Sequence, residues 1–195
     1  MSFFSAAEQL LSQIPKLHQA KIQIKIKKDG LLLKTCLVGF LAKVQPDKKG
    51  ASNVGERTEQ VITLSLPSSM QHVYLLDVVV TEILRDTDFT EEIQEQINLA
   101  AIEASTNAIK HGNNEDPRKR AIIQLSLDED KLTIVIEDEG EGFTRKEVAD
   151  PLDPENLLKS SGRGLFLMEA YMDSVTYEAK GTIIKMVKYK ETPQV

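Results

Sequence analysis

Residues 103–112 read Glu-Ala-Ser-Thr-Asn-Ala-Ile-Lys-His-Gly. The run ends on glycine, so it reads as the last turns of a helix. At 100° per residue, Glu103, Asn107, Lys110 and His111 share one side of that helix. Ile97, Ala101, Ala104 and Ala108 form a neighbouring stripe that suits a core. A carboxylate, an amide and an imidazole on consecutive turns can address one ligand. The carboxylate can take a proton, and the amide oxygen can ligate Mg²⁺. Taken alone, such a run is usually no more than a solvated polar face.

The helix opens at Thr90-x-x-Ile93, with Glu91 and Glu92 in a first turn where the macrodipole favours acids. Gly112-Asn113-Asn114 stops it. Upstream, Val61–Leu66 alternates and ends at Pro67, which predicts a strand. Ser68 or Ser69 can cap a helix running to about Arg85, with Val73, Val80 and Leu84 inward. Downstream, residues 121–127 and 131–137 read as strands joined by the turn Asp128-Glu129-Asp130. A polar run rich in Gly, Pro and Asp spans residues 138–162. A short helix over 164–172 follows, then strands 174–179 and 182–189 around Lys180-Gly181, read as a two-residue hairpin turn. Hairpinned strands with helices between them predict an α+β fold. It is a two-layer sandwich, a mostly antiparallel sheet with helices on one face.

A structureless run of about 25 residues in a compact domain tends to be functional. Two clusters flank it. Glu137-Asp138-Glu139-Gly140-Glu141-Gly142-Phe143 follows a strand directly. Asp138 sits at the strand exit, and Gly140 and Gly142 permit close approach to a flat ligand that a Cβ would block. Ser160-Ser161-Gly162-Arg163-Gly164-Leu165 opens the helix beyond the loop. A glycine-rich turn feeding a helix start offers N–H groups and a positive dipole end to phosphates. It lacks the Gly-Lys-Ser/Thr ending of a P-loop and the third glycine of a dinucleotide fingerprint. Alone, the first reads as an acidic turn and the second as a helix cap.

In this order and spacing the three clusters resemble the GHKL ATPase superfamily, which includes DNA gyrase, histidine kinases and MutL. The Glu103-x-x-x-Asn107 helix resembles its N box. Asp138-x-Gly140-x-Gly142-Phe143 and Gly162-x-Gly164 resemble its two glycine boxes, and Gly181-Thr182 its last ligand-facing element. Residues 103–112, 150–158 and 161–168 are similar to one branch in particular, the anti-sigma-factor serine/threonine kinases of the RsbW type. The resemblance covers about residues 58–190. It implies the Bergerat ATP-binding fold, with ATP and Mg²⁺ as cofactors. Asp138 would accept a hydrogen bond from the adenine amino group, with Thr182 supporting it through water. Gly140 belongs to the same box, and Gly142 would let the base lie close to the backbone. Asn107 would hold Mg²⁺. Ser161, Gly162, Arg163 and Gly164 would meet the phosphates, and residues 144–161 would form a lid. Glu103 would be the general base for an incoming Ser or Thr hydroxyl. His111 would touch phosphate or merely close the helix. The implied partners are a sigma factor and a STAS-fold anti-anti-sigma protein, with a homodimer as the assembly and the cytoplasm as the location. Two alternatives stand beside this. One is a nucleotide-holding interaction module that transfers nothing. The other is the catalytic module of a histidine kinase.

Composition sets the outer limits. The chain has 195 residues and a net charge of −6, with 41% apolar and 28% charged residues, an ordinary globular balance. The acidic total argues against direct nucleic-acid binding. Cys36 is the only cysteine, so intramolecular disulfides and four-cysteine zinc sites are excluded. Residues 1–60 carry ten Lys and Arg against five Asp and Glu, whereas the remainder carries 14 against 25. That asymmetry suggests two segments of different character, and the polar stretch with Pro46, Gly50 and Gly55 reads as a linker between them. With the extent of the resemblance, this gives an N-terminal extension of open role (1–44), a linker (45–57), an ATP-binding domain (58–190) and a tail (191–195). Within the extension, Phe3, Ala7, Leu10, Ile14 and Leu17 recur at helical spacing. Ile22, Ile24 and Ile26 alternate as in a strand, and Asp29-Gly30 suits a hairpin turn. The apolar run 31–44 is too short for a transmembrane segment.

Overall fold

The computed structural model describes residues 22–28, 31–37, 60–85, 87–142 and 163–190. Among these residues seven strands form one antiparallel sheet: β1 (Ile22–Lys28), β2 (Leu31–Leu37), β3 (Gln60–Pro67), β4 (Arg120–Leu127), β5 (Lys131–Glu137), β6 (Ser174–Glu178) and β7 (Ile183–Tyr189). Their order is β2-β1-β3-β4-β5-β7-β6. The helices are α1 (Val73–Leu84), α2 (Glu91–Asn107) and α3 (Arg163–Tyr171). The expected antiparallel α+β sandwich is what the chain forms.

The period-two pattern of the strands fixes which face is buried. Leu64 lies opposite Ile123, Ile123 opposite Ile136, and Ile136 opposite Ile184. All four are buried, as are Leu66, Leu125, Leu132, Ile134 and Met186. Slipping any strand by one residue would turn its apolar row to water, so the register is strongly specified. The helices cover this row with Leu76, Val80 and Leu84 of α1, Ile97, Ala101 and Ala104 of α2, and Leu165 and Met168 of α3. Each fully buried aliphatic side chain contributes about 1.5–3 kcal/mol relative to exposure. Helix α2 packs against both α1 and α3. Its small alanines let both neighbours come close.

Strands β1 and β2 pair antiparallel, and β1 lies on the outer edge of β3, Ile24 opposite Leu64 and Ile26 opposite Ile62. The charge boundary near residue 60 is therefore a division of the chain rather than of the sheet. Covering the edge of β3 leaves the ends of the sheet to β2 and to the five-residue β6. The amphipathic 3–19 segment and the linker 45–57 lie outside the described residues.

Three local expectations are corrected. Neither Ser68 nor Ser69 caps α1. Ser69 starts a 3-10 turn over Met70–His72 without a side-chain bond, and Ser68 is buried with its hydroxyl engaged elsewhere. Lys180-Gly181 is not a two-residue hairpin turn. Glu178 pairs with Ile183, so the loop holds four residues, and Ala179, Lys180 and Gly181 all take positive φ. Helix α2 does not stay α-helical to His111. Residues 108–112 form a π turn, in which the N–H of Asn113 donates to the carbonyl of Ala108 at 2.8 Å. A π turn spends one extra residue per turn. The 100° spacing thus places Glu103 and Asn107 on one side but does not carry on to Lys110 and His111. The Thr90 cap is as expected, its Oγ1 accepting from the N–H of Ile93 at 3.3 Å. The β4–β5 turn is closed by Asp128 Oδ1, which accepts from the N–H groups of Asp130 and Lys131, both at 2.9 Å.

Candidate active site

Glu103 and Asn107 stand one turn apart near the C-terminal end of α2, partly exposed, while Ala100, Ala101 and Ala104 turn into the core. The start of α3 crosses directly over them. A Cβ placed on Gly164 would lie 2.5 Å from Glu103 Oε2 and 3.6 Å from Asn107 Nδ2. A side chain there would displace the Glu103 carboxylate, so the glycine lets the helix start meet the carboxylate and the amide as they stand. Residues about 60 apart in the chain share one small volume.

A second focus lies where β5 ends. The N–H of Asp138 donates to the carbonyl of Thr182 at 3.0 Å, which ties the strand exit to the start of β7. The N–H of Gly140 donates to Asp138 Oδ1 at 2.8 Å. Oδ2 of Asp138 has no hydrogen-bond donor among the described residues. Burial raises the Asp138 carboxyl above its ordinary value, partly opposed by the Gly140 N–H and by the charge of Lys119.

Glycines wall this carboxylate. A Cβ on Gly112 would lie 2.3 Å from Asp138 Cγ, and one on Gly140 would lie 2.3 Å from the carbonyl oxygen of Gly112. Gly142 has φ +82, and a Cβ there would lie 2.2 Å from the carbonyl oxygen of Lys180 and 3.3 Å from Thr182 Cγ2. Both the conformation and the space require glycine at 142. Thr182 Oγ1 donates to the carbonyl of Ala179 at 3.0 Å. The sequence marks Gly112 only as a helix stop. Its place against Asp138 is visible only once the π turn carries it to the end of β5.

Asp138, Gly140, Gly142 and Thr182 are therefore gathered at one place, and Glu103, Asn107 and Gly164 at another on the same helix end. Lys110 and His111 are exposed. Ser161, Gly162 and the expected lid over 144–161 lie outside the described residues, as does the side chain of Arg163, whose backbone begins α3. Among the described residues no three His, Cys, Asp or Glu side chains come together as a metal site. No helix among them is long and apolar enough to cross a membrane.

A half-buried carboxylate walled by glycines thus lies at the end of a helix that carries a carboxylate and an amide, in an α+β fold. The family model for the histidine kinase-like ATPase domain matches residues 66–188. The serine-protein kinases RsbW of Staphylococcus aureus strains JH9 and Newman are each 35% identical over 145 residues, covering 70% of this chain and 91% of theirs. The chain belongs to the histidine kinase-like ATPase family, in the branch of the RsbW serine-protein kinases.

Proposed function

We propose that this chain is an ATP-dependent serine/threonine protein kinase that acts as an anti-sigma regulatory factor. Its substrate is a STAS-type anti-anti-sigma protein, and its other partner is a sigma factor. The observation that carries the reading is the meeting of Glu103, Asn107 and Gly164 at the start of α3, on the helix whose end walls Asp138. The kinship with the RsbW kinases supports it.

Each residue has a role that its position suits. Asp138 Oδ2 accepts the adenine amino N–H, since Oδ1 is already engaged by Gly140. The glycines at 140 and 142 let the base lie against backbone, with Thr182 beside it. The N–H groups of residues 161–164 take the phosphates at the positive end of α3. Glu103 accepts the proton of the incoming hydroxyl. A bond forms from that oxygen to the γ-phosphorus, the bond to the bridging oxygen breaks, and ADP leaves. Phosphoryl transfer depends mainly on positioning and charge stabilisation, so few side chains suffice. Mg²⁺ usually takes one or two protein ligands beside substrate phosphates. Asn107 would hold it, and it would supply charge neutralisation at the phosphates. The catalytic unit is residues 58–190, with 1–44 as an appended extension, 45–57 as linker and 191–195 as tail. The working form is a homodimer in the cytoplasm.

Labelled γ-phosphate transfer to purified STAS partners tests this. Acid-stable label on a partner Ser or Thr is expected. ATP binding without transfer would leave a nucleotide-holding interaction module, and acid-labile label on the chain itself would indicate a histidine kinase.

The Asp138 carboxyl gives a pH signature. Its folded pKa is raised, so its contribution to folding of the free protein is full below the ordinary value of 3.8 and is lost as pH rises through the raised value. ATP has the opposite preference, because an amino donor binds the ionised form. The preference for ATP over purine riboside triphosphate, which lacks only the amino group, is therefore expected to shrink as pH falls. Its midpoint should lie above 3.8. Competition binding across pH 4–8 measures it, and a ratio that stays flat would remove the contact.

A further inference from the structure

Asn113 is fully buried, with 0% exposure, at the end of the π turn. Its amide uses every group it has. Nδ2 donates to Ser68 Oγ at 2.6 Å and to the carbonyl of Arg120 at 3.0 Å. Oδ1 accepts from the N–H of Glu139 at 2.8 Å. One side chain thus joins the end of β3, the start of β4 and the loop after β5. Simply closing a helix does not require a buried amide with three remote partners.

The partner on the loop is the informative one. Three successive N–H groups leave β5, those of Asp138, Glu139 and Gly140, and each has its own acceptor: Thr182 O, Asn113 Oδ1 and Asp138 Oδ1. The first acceptor belongs to the sheet, and the third is the carboxylate itself. Only the middle one is a side chain from another element. It sits immediately between the carboxylate and the glycine that orients it. Glu139 is held a second time, its Oε2 accepting from the N–H of Arg120 at 2.6 Å. Without Asn113 Oδ1, the Glu139 N–H would turn toward another acceptor, and the peptide carrying it begins at Asp138.

We infer that Asn113 is a positioning residue for base recognition: through Glu139 N–H it fixes the direction in which the Asp138 carboxylate faces the nucleotide. The inference rests on the reading of Asp138 as the adenine contact. Ser68 and Arg120 anchor the amide, and Oδ1 sets the loop. Asn113 touches neither nucleotide nor substrate in this role.

The test is the ratio of ATP affinity to purine riboside triphosphate affinity, measured on the full chain alongside thermal unfolding. In Asn113→Ala the ratio is expected to fall about tenfold or more, the scale of one well-aligned hydrogen bond to a charged acceptor. Affinity for the analogue itself should change little. In Ser68→Ala melting temperature should drop while the ratio holds, because the bond to Glu139 is kept. Asn113→Asp keeps an oxygen for the Glu139 N–H and should retain more of the ratio than alanine does. A folded Asn113→Ala with wild-type discrimination would overturn the inference. So would alanine and aspartate variants that both fail to fold, since Asn113 would then be a residue of the fold alone. Asp138→Asn separates the two layers: if it too leaves the ratio unchanged, the adenine contact itself is wrong, whatever Asn113 does.

Discussion

Glu103→Gln is expected to leave ATP binding close to wild type and to slow phosphate transfer by about 10²–10⁴, equivalent to about 3–5.5 kcal/mol on the barrier. Glutamine has the shape of glutamate, so the seat against Gly164 is kept, where a Cβ would come within 2.5 Å of Oε2. It cannot accept the hydroxyl proton. Single-turnover transfer from labelled ATP to a STAS partner isolates that step from product release, and equilibrium titration measures binding. Loss of both together would mean that Glu103 organises the nucleotide rather than the hydroxyl. Full transfer by the variant would remove the base assignment.

Asp138→Asn is expected to weaken ATP by about 2–4 kcal/mol, roughly 30- to 700-fold, with a much smaller effect on the analogue without the amino group. The carboxylate offers two acceptor oxygens, and Gly140 N–H uses one of them at 2.8 Å. Asparagine has a single oxygen. If that oxygen stays with Gly140, an NH₂ group faces the adenine amino group, donor against donor. If the amide flips, the Gly140 N–H loses its acceptor instead. Either arrangement leaves a partly buried polar group unmatched. The burial that raises the Asp138 carboxyl makes the mismatch more costly than it would be at the surface. Thermal unfolding with and without MgATP gives a rapid check, since ligand at 100 times its Kd adds about 2.7 kcal/mol. A wild-type-sized shift in the variant would contradict the assignment.

The elements were legible in the chain because their causes are local. Period-two alternation in 61–66, 121–127 and 131–137 settles a strand within a few residues, and Thr90 followed by Glu91 and Glu92 settles a helix start. The alternation of Ile22, Ile24 and Ile26 likewise marked β1, while Asp29-Gly30 lies outside the described residues. Of the three clusters, the structure gathers Glu103, Asn107 and Gly164 at one place and Asp138, Gly140 and Gly142 at another, while residues 160–162 lie outside the described residues. The misreadings also share a cause. Ser68 looked like a cap because the sequence shows its neighbours and not Asn113, which lies 45 residues further along. Lys180-Gly181 looked like a tight turn because composition does not count the residues between the last pair, Glu178 and Ile183.

The sequence by itself determined the class of fold and the inward row of the sheet. Only the tertiary structure decided that β1 joins β3, that α2 ends in a π turn, and that Asn113 holds the loop bearing Asp138. The physical reason is range. Propensity, alternation and capping act over a few residues. A buried amide finds its acceptor and donors only when sheet register and helix packing bring together segments 7, 26 and 45 residues away.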